Sequence, residues 1–500
     1  MKKAARIIGC AVTLLLTACL LFSLTELTEL KDSDNKYSDF FRDREYDVLF
    51  FGTSNVIDDV FPMELWKEYG IVSYNCGGTS NQLATTYWVM ENVLDYVTPK
   101  VVVIDCLHLS ADLKRAMAPR LHYNLDAFPL SLTKIRAVLD LLNDPGADAA
   151  SEAEETVNNA WKLSRTELLW NYAVYHSRWN DLQKEDFSPQ PNREKGARSL
   201  FNVSDGERRE IDTGSGIEPG HVGEAYLRRM IESCRKRGID VLLTYLPFPA
   251  SDLCLKEARR VYDIAEEYGV PYVNFLDDDE IINYKCDLHD SYSHLNVSGA
   301  RKVTSYLGEL LAQQFRIPDR RNDAHYSYWE KDYREYEALK DNNLQTQDNM
   351  VRYLMLLAGD NTKTMICVRN REIFRNRLIT TLLENLGVDP GELGEDTDFI
   401  LVNNQEREAV VLSDFTENGQ TEDTKLGNAS VIRFAGEEPE DGYFLTLTVD
   451  GWGSMKVKEN STPGIQINVY RNGELADSVK FEYSVNPRTD SVDTSAVIRQ

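Results

Sequence analysis

The sequence predicts an α/β layer fold, with one apolar helix ahead of it and a smaller β-rich domain behind it. Three observations carry this. Between residues 46 and 105, strand-like and helix-like patterns alternate, which implies layers of sheet and helix. The strand-like runs, such as Val101-Val102-Val103-Ile104, are apolar throughout, as in a parallel sheet covered on both faces. After Ile317-Pro318 the composition shifts, first to a charged, tyrosine-rich stretch and then to short β-prone runs. With 500 residues and 42% hydrophobic content, the chain is long enough for two or three domains with cores of their own.

The N-terminus comes first. Lys2, Lys3 and Arg6 precede residues 7–24, which carry no charge and are just long enough to span a membrane. The positive flank stays cytoplasmic, so the chain after about Lys31 is expected outside, on a single-pass anchor in the cell membrane. Leu16-Thr17-Ala18-Cys19 is similar to a bacterial lipoprotein box, in which Cys19 would be lipidated after cleavage. Leu20-Leu21-Phe22 continue the apolar run past that point and favour an uncleaved anchor over residues 1–30. A formal charge of −26 excludes nucleic acid as a partner and a basic surface for anionic lipid. No two of the eight cysteines have CxxC spacing, so zinc is not expected, nor any other metal or cofactor. Cys106 follows an apolar strand and reads as a buried thiol, and Cys254 with Cys286 is a candidate bridge.

Residues 31–318 form the α/β domain. Strands are expected at 47–51, 71–75 and 101–105, with helices opening near Pro62 and near Gln82. Residues 107–218 break the rhythm with helices at 131–142 and 153–169 and polar loops, an insertion able to cap a site. Tyr175-His176-Ser177-Arg178-Trp179 within it reads either as a sugar-contacting cluster or as a helix end packed on the core. The rhythm then resumes with helix 224–237 stopped by Gly238, strand 241–245, helix 253–268 stopped by Gly269, and strand 271–275. The acidic run at 277–280 reads as solvated surface or, without the spacing of an EF-hand, as a calcium loop. A helix over 298–315 is capped by Asn296 or Ser298.

Function in such a sheet gathers at the carboxyl ends of the strands. Ser54, in Phe50-Phe51-Gly52-Thr53-Ser54-Asn55, follows the first strand through a glycine turn, where a helix N-terminus favours an oxyanion. Gly77-Gly78 and Asp105 fall at the next two strand ends. Asp287-Leu288-His289-Asp290, followed by His294, puts an imidazole and a carboxylate in the loop before a helix, the pair a serine needs for activation.

In order and spacing these blocks resemble the SGNH/GDSL hydrolase superfamily over residues 43 to 317. The resemblance implies a three-layer fold with Ser54 as nucleophile, His294 as base and Asp290 as its partner. It also implies an oxyanion hole from the amides of Ser54 and Gly78, with Asn81 among the side-chain donors. Leu295-Asn296 and Gly299 are similar to membrane-anchored members, the accessory proteins of teichoic-acid D-alanylation and alginate O-acetylation. The implied chemistry is acyl transfer on a cell-envelope or exported polysaccharide, to water or to a sugar hydroxyl. A transferase would take its acyl group from another membrane protein. Asn55, His108, His176 and Arg178 are further candidates for substrate contact.

Two departures matter. Three residues, not two, separate Asp290 from His294, so either a bulged loop restores the geometry or Asp287 is the partner. The block after the third strand reads Val103-Ile104-Asp105-Cys106-Leu107-His108 and lacks the family's asparagine, a gap for Asn81, Gln82 or His108 to fill. A catalytically degenerate binding or assembly protein, or a structural envelope protein, is the alternative.

Residues 319–360 read as a charged aromatic linker and helix, continuing helical at 350–357. Residues 361–500 read as β-rich, with strands at 365–368, 397–402, 409–412, 429–434, 443–449, 465–470 and 480–481, a helix at 374–386, and a frayed tail after Asn486. Gly464-Ile465-Gln466-Ile467-Asn468-Val469-Tyr470 and Ala476-Asp477-Ser478-Val479-Lys480-Phe481 faintly resemble the interleukin-like EMT inducer (FAM3-type) domain. That resemblance implies a glycan-holding module, an inert scaffold being the other reading.

Overall fold

The computed structural model describes residues 2–28, 36–37, 40–43, 45–147, 161–187, 192–208, 216–277, 280–369, 371–393, 397–413, 415, 417–438, 442–459, 464–485 and 492–499. The chain divides into two compact units. One comprises Met1–Arg198, Arg209–Asp278 and Thr304–Glu330, the other Ser199–Arg208, Asp279–Val303 and Lys331–Gln500. A single break at residue 318 is therefore not what forms. The loop with Asp290 and His294 belongs to the second unit, because its following helix is tied there. Lys302 bonds Asp287 and Asn385, and Arg301 donates to the carbonyls of Leu356 and Ala358.

In the first unit, β1 (Val48–Phe51), β2 (Ser73–Asn75), β3 (Val101–Asp105), β4 (Asp240–Tyr245) and β5 (Tyr272–Asn274) form one parallel sheet in the order β2-β1-β3-β4-β5. Every residue of β1, β2 and β3 is buried, which is why these runs show no alternation. Right-handed crossovers send the β1-to-β2 connection over one face and the next three over the other. On the first face lie helices Ser54–Asp59 and Pro62–Tyr69, joined to residues 304–313. The Phe61 N–H donates to Thr304 Oγ1 at 3.0 Å, and the Tyr69 hydroxyl to the Ser305 carbonyl at 3.1 Å. Helices Leu83–Leu94, Val222–Arg237 and Asp252–Tyr268 make the other connections. Gly238 and Gly269 close the last two in the left-handed conformation, with φ of 69° and 59°. The strand order reverses between β1 and β3, where an open sheet leaves a crevice at its carboxyl ends.

The first unit begins with a helix over Lys2–Thr28, in which Arg6–Thr25 is long and apolar enough to cross a membrane, as a signal sequence also is. The insertion between β3 and β4 holds helices Ala118–Leu125, Leu132–Leu141 and Arg165–Leu169, then a shorter run to Phe187. Of the helix expected over 153–169, residues up to 160 lie outside the described ones. The remainder starts afresh at Arg165, because Ser164 and Glu167 form a capping box there.

The second unit carries two antiparallel sheets. One is six-stranded: β15 (Val492–Arg499), β14 (Glu474–Val485), β13 (Gly464–Arg471), β6 (Lys363–Arg369), β7 (Thr397–Asn403) and β8 (Glu408–Leu412). The other is β12 (Gly453–Lys458), β11 (Tyr443–Val449), β10 (Gly427–Ala435) and β9 (Thr421–Thr424). Met365, Cys367, Phe399 and Leu401 of the first pack with Val431, Leu445, Leu447 and Met455 of the second in a shared core. Helix Met350–Leu357 packs on the six-stranded sheet away from that core, through Tyr353, whose ring meets Phe481 and whose hydroxyl donates to Asp477.

The tail after Asn486 is not frayed throughout. Val492–Arg499 pairs along β14, and Arg499 is held by Asp477 at 2.7 Å and by the Gln347 carbonyl. Cys254 and Cys286 are both free thiols, so the candidate bridge does not form. Cys106 is a buried thiol, as expected.

Candidate active site

Ser54 opens the helix that follows β1, half-buried, with Thr53 as N-cap accepting from the Asn55 N–H at 3.2 Å. A short helix of its own thus begins at the serine, ahead of the helix that opens at Pro62 as expected. Two side chains from elsewhere in the unit support it. Asn75, at the end of β2, donates to the carbonyls of Val56 and Val60 at 2.6 and 2.9 Å. Arg198 grips buried Asp58 with two bonds of 2.8 Å. Asn55 is itself buried, its amide oxygen on the Thr53 hydroxyl, so it serves the turn.

The glycines are there for contact. A Cβ on Gly52 would meet Val56 Cγ2 at 2.6 Å and Asp105 Cβ at 2.8 Å. One on Gly77 would meet the Thr53 carbonyl at 2.9 Å and the Ile57 nitrogen at 3.0 Å, both backbone atoms. Gly77→Ala therefore has to push the second turn off the serine helix. We expect a loss of about 1–3 kcal/mol, read as a lower midpoint in urea.

The Gly78 amide is bonded within the turn. Its N–H donates to the Gly52 carbonyl at 3.0 Å and so belongs to the scaffold of the turn. Asn81 also donates to that carbonyl, at 3.3 Å, which leaves its amide group a second hydrogen. Its Oδ1 is buried without a hydrogen-bond partner among the described residues. Asn124, from the insertion, faces Asn81 across Gly78, since a Cβ on Gly78 would meet Asn124 Oδ1 at 2.1 Å and Asn81 Nδ2 at 2.2 Å. Nothing in the local sequence of Asn124 marks it, because only the tertiary fold brings it there.

Asp105 ends β3 beside Gly52, buried, with Oδ1 accepting from the Leu246 N–H at 3.0 Å and Oδ2 unpaired among the described residues. Burial pushes its carboxyl up to about 7, against the pull of the Leu246 and Leu107 amides and with the push of the Glu257 charge. A carboxyl raised in the folded state stabilises most below the unfolded value near ~4 and loses that contribution as pH rises through about 7. The loss is on the order of ~4 kcal/mol at ~1.4 kcal/mol per pH unit. Asp105→Asn should flatten the fall in Tm between about pH 4 and about pH 8, and an unchanged slope would remove Asp105 as its source. His108 sits in the turn after Asp105 at φ 72°, and burial lowers its pKa against the pull of the Glu257 charge. Next to it, Ser110 bonds Glu257, which also accepts from the Tyr245 hydroxyl at 2.8 Å.

In the second unit, His294 Nδ1 lies 2.7 Å from Asp290 Oδ2. The three intervening residues are absorbed by a turn. Asp290 Oδ1 accepts the N–H groups of Ser293, Tyr292 and His294 at 2.6, 3.2 and 3.3 Å, while Oδ2 stays on the ring. Leu288 bridges Leu295, and the His289 N–H donates to the His294 carbonyl, closing the loop at its base. Burial pushes the Asp290 carboxyl up, but the His294 ring and the Ser293 and Tyr292 amides outweigh it and hold it below the usual range. Asp287 is not the partner. It is buried against Lys302 at 2.6 Å, Ser298 Oγ at 2.7 Å and the Asn283 N–H at 2.7 Å. A carboxylate on Nδ1 fixes the tautomer that leaves the lone pair on Nε2.

His176 and Arg178 are placed at the end of the N-terminal helix. Arg178 donates to the Thr28 carbonyl at 3.0 Å and to Asp186 at 2.8 Å, and His176 Nδ1 lies 3.2 Å from the Ala173 carbonyl. Among the described residues, no group of three or more His, Cys, Asp or Glu is arranged to hold a metal ion. In comparison with known proteins, no family model and no curated protein matches this chain.

Proposed function

We propose that the protein is an extracytoplasmic serine esterase or O-acyltransferase of the SGNH type. It is anchored in the cell membrane and acts on acyl groups of a cell-envelope or exported polysaccharide. The observation that carries this reading is the Asp290–His294 pair at 2.7 Å, taken with a serine at the carboxyl end of β1. In this reading His294 Nε2 takes the Ser54 proton as Oγ attacks the ester carbonyl. The Ser54 amide and the second Asn81 amide hydrogen stabilise the oxyanion. The imidazolium then protonates the departing alkoxide, and water or a sugar hydroxyl, deprotonated by His294, releases the acyl group from Ser54. As a transferase it would receive its acyl group from another membrane protein.

A second reading, the same fold as a binding or assembly protein without turnover, is favoured by one observation. The Gly78 N–H is engaged by Gly52, and each missing oxyanion donor costs about 3–4 kcal/mol of transition-state stabilisation. Hydrolysis of a small acetyl ester by the purified chain separates the two. We expect turnover above buffer that Ser54→Ala returns to background, whereas equal rates for both proteins would remove Ser54 from the chemistry.

A further inference from the structure

The insertion between β3 and β4 exposes large apolar side chains beside the N-terminal helix. Leu130 is 62% exposed, Leu132 73%, Trp179 64% and Phe187 67%, and Trp170 stands open at 43%. Trp170 is pinned to the helix by its Nε1–H on Thr25 Oγ1 at 3.1 Å, and Arg178 by its bond to the Thr28 carbonyl. Between helix and insertion lies a cavity of about 420 Å³, walled by Ala18, Leu21 and Thr25 on one side and by Phe128, Leu130 and Trp170 on the other. Asp126 and Lys134 also line it, engaged by the Tyr175 hydroxyl and the Phe128 carbonyl. Ala18 to Thr25 is about 10 Å of helix at 1.5 Å per residue. The uncharged stretch runs on to Leu24. A helix that crosses a bilayer with its basic end inside therefore puts this strip in the outer leaflet, and whatever faces the strip sits there with it.

We propose that the insertion rests in the outer-leaflet headgroup layer of the bilayer that the N-terminal helix crosses. Trp170, Trp179 and Phe187 are its interfacial anchors, and a lipid acyl chain fills the cavity. This rests on reading the helix as an uncleaved anchor. Tryptophan favours that layer because its ring is apolar and its N–H polar. Apolar side chains that a water-exposed surface would penalise are here covered by lipid. The stretch 175–179 then serves the membrane face and not a sugar. The leaflet need not be anionic, which suits a chain of net charge −26.

The test uses the full chain reconstituted in phosphatidylcholine vesicles, with lipids brominated either near the headgroup or near the acyl terminus. Shallow bromines should quench part of the tryptophan emission, and deep bromines less. The W170F/W179F double variant, which keeps the apolar face, should lose most of the quenchable share. Trp66, Trp88, Trp329 and Trp452 are buried and contribute little to it, and the half-buried Trp161, under Arg115, is the background that the double variant retains. A chain that resists alkaline carbonate extraction yet shows no quenching, or equal quenching in the double variant, overturns the platform alone. A chain stripped from the vesicles by carbonate overturns the anchor reading and the platform together.

Discussion

His294→Ala should lower kcat for acetyl-ester hydrolysis by about 10³–10⁴-fold and leave KM within a few-fold. A serine hydroxyl is a weak nucleophile at neutral pH, and its activation needs a base with a lone pair on the reacting side. Asp290 holds Nδ1 at 2.7 Å, so that lone pair belongs to Nε2. Truncation removes the base while the loop keeps its own bonds, since Asp290 Oδ1 still caps the Ser293 and Tyr292 amides. The melting temperature should therefore move little. Equal kcat in the variant and the parent would separate the imidazole from the reaction.

The second large effect distinguishes the two aspartates of the loop. Asp290→Asn should cost about 10³–10⁴-fold in kcat with the fold intact, because an amide at that position no longer enforces the tautomer. Asp287→Asn should instead cost stability, about 3–5 kcal/mol, because it leaves the Lys302 ammonium without its buried counter-charge. Burial raises the Asp287 pKa, but Lys302 and Arg407 bring it below the ordinary value. A depressed carboxyl gives stability that is present above the unfolded value and lost as pH falls through the folded one. The parent's acid limb should therefore steepen through this group and weaken in Asp287→Asn. If Asp287→Asn silenced turnover in a fully folded protein while Asp290→Asn did not, the assignment of partners would be reversed.

The parallel sheet was legible because its strands are short apolar runs bounded by glycine turns, and burial on both faces leaves no other pattern. Helices 222–237 and 252–268 were legible from their closing glycines. Three strands were missed: Gly453–Lys458, where only Met455 and Val457 alternate inward, and two that carry less apolar signal of their own. Thr421-Glu422-Asp423-Thr424 is polar and mostly exposed, and is a strand because β10 offers it a ladder. Val492–Arg499 follows a polar stretch and gains its order from β14. At the candidate site, Ser54 could be found from a strand, a glycine and a serine in succession. The direction of the Gly78 N–H could not, since it depends on how closely two glycine turns approach. The Asp290 turn was equally hidden, because one carboxylate oxygen folds the loop while the other orients the ring. Asn124 required the insertion to be folded before it could be seen.

The claim on which the rest depends is that Ser54 is an activated nucleophile. The most direct measurement is labelling of the intact chain with a fluorophosphonate, followed by mapping of the adduct by mass spectrometry. One adduct is expected, on Ser54, formed in the parent and lost in His294→Ala. No adduct on a folded parent chain, or one that forms as fast without the imidazole, would contradict it.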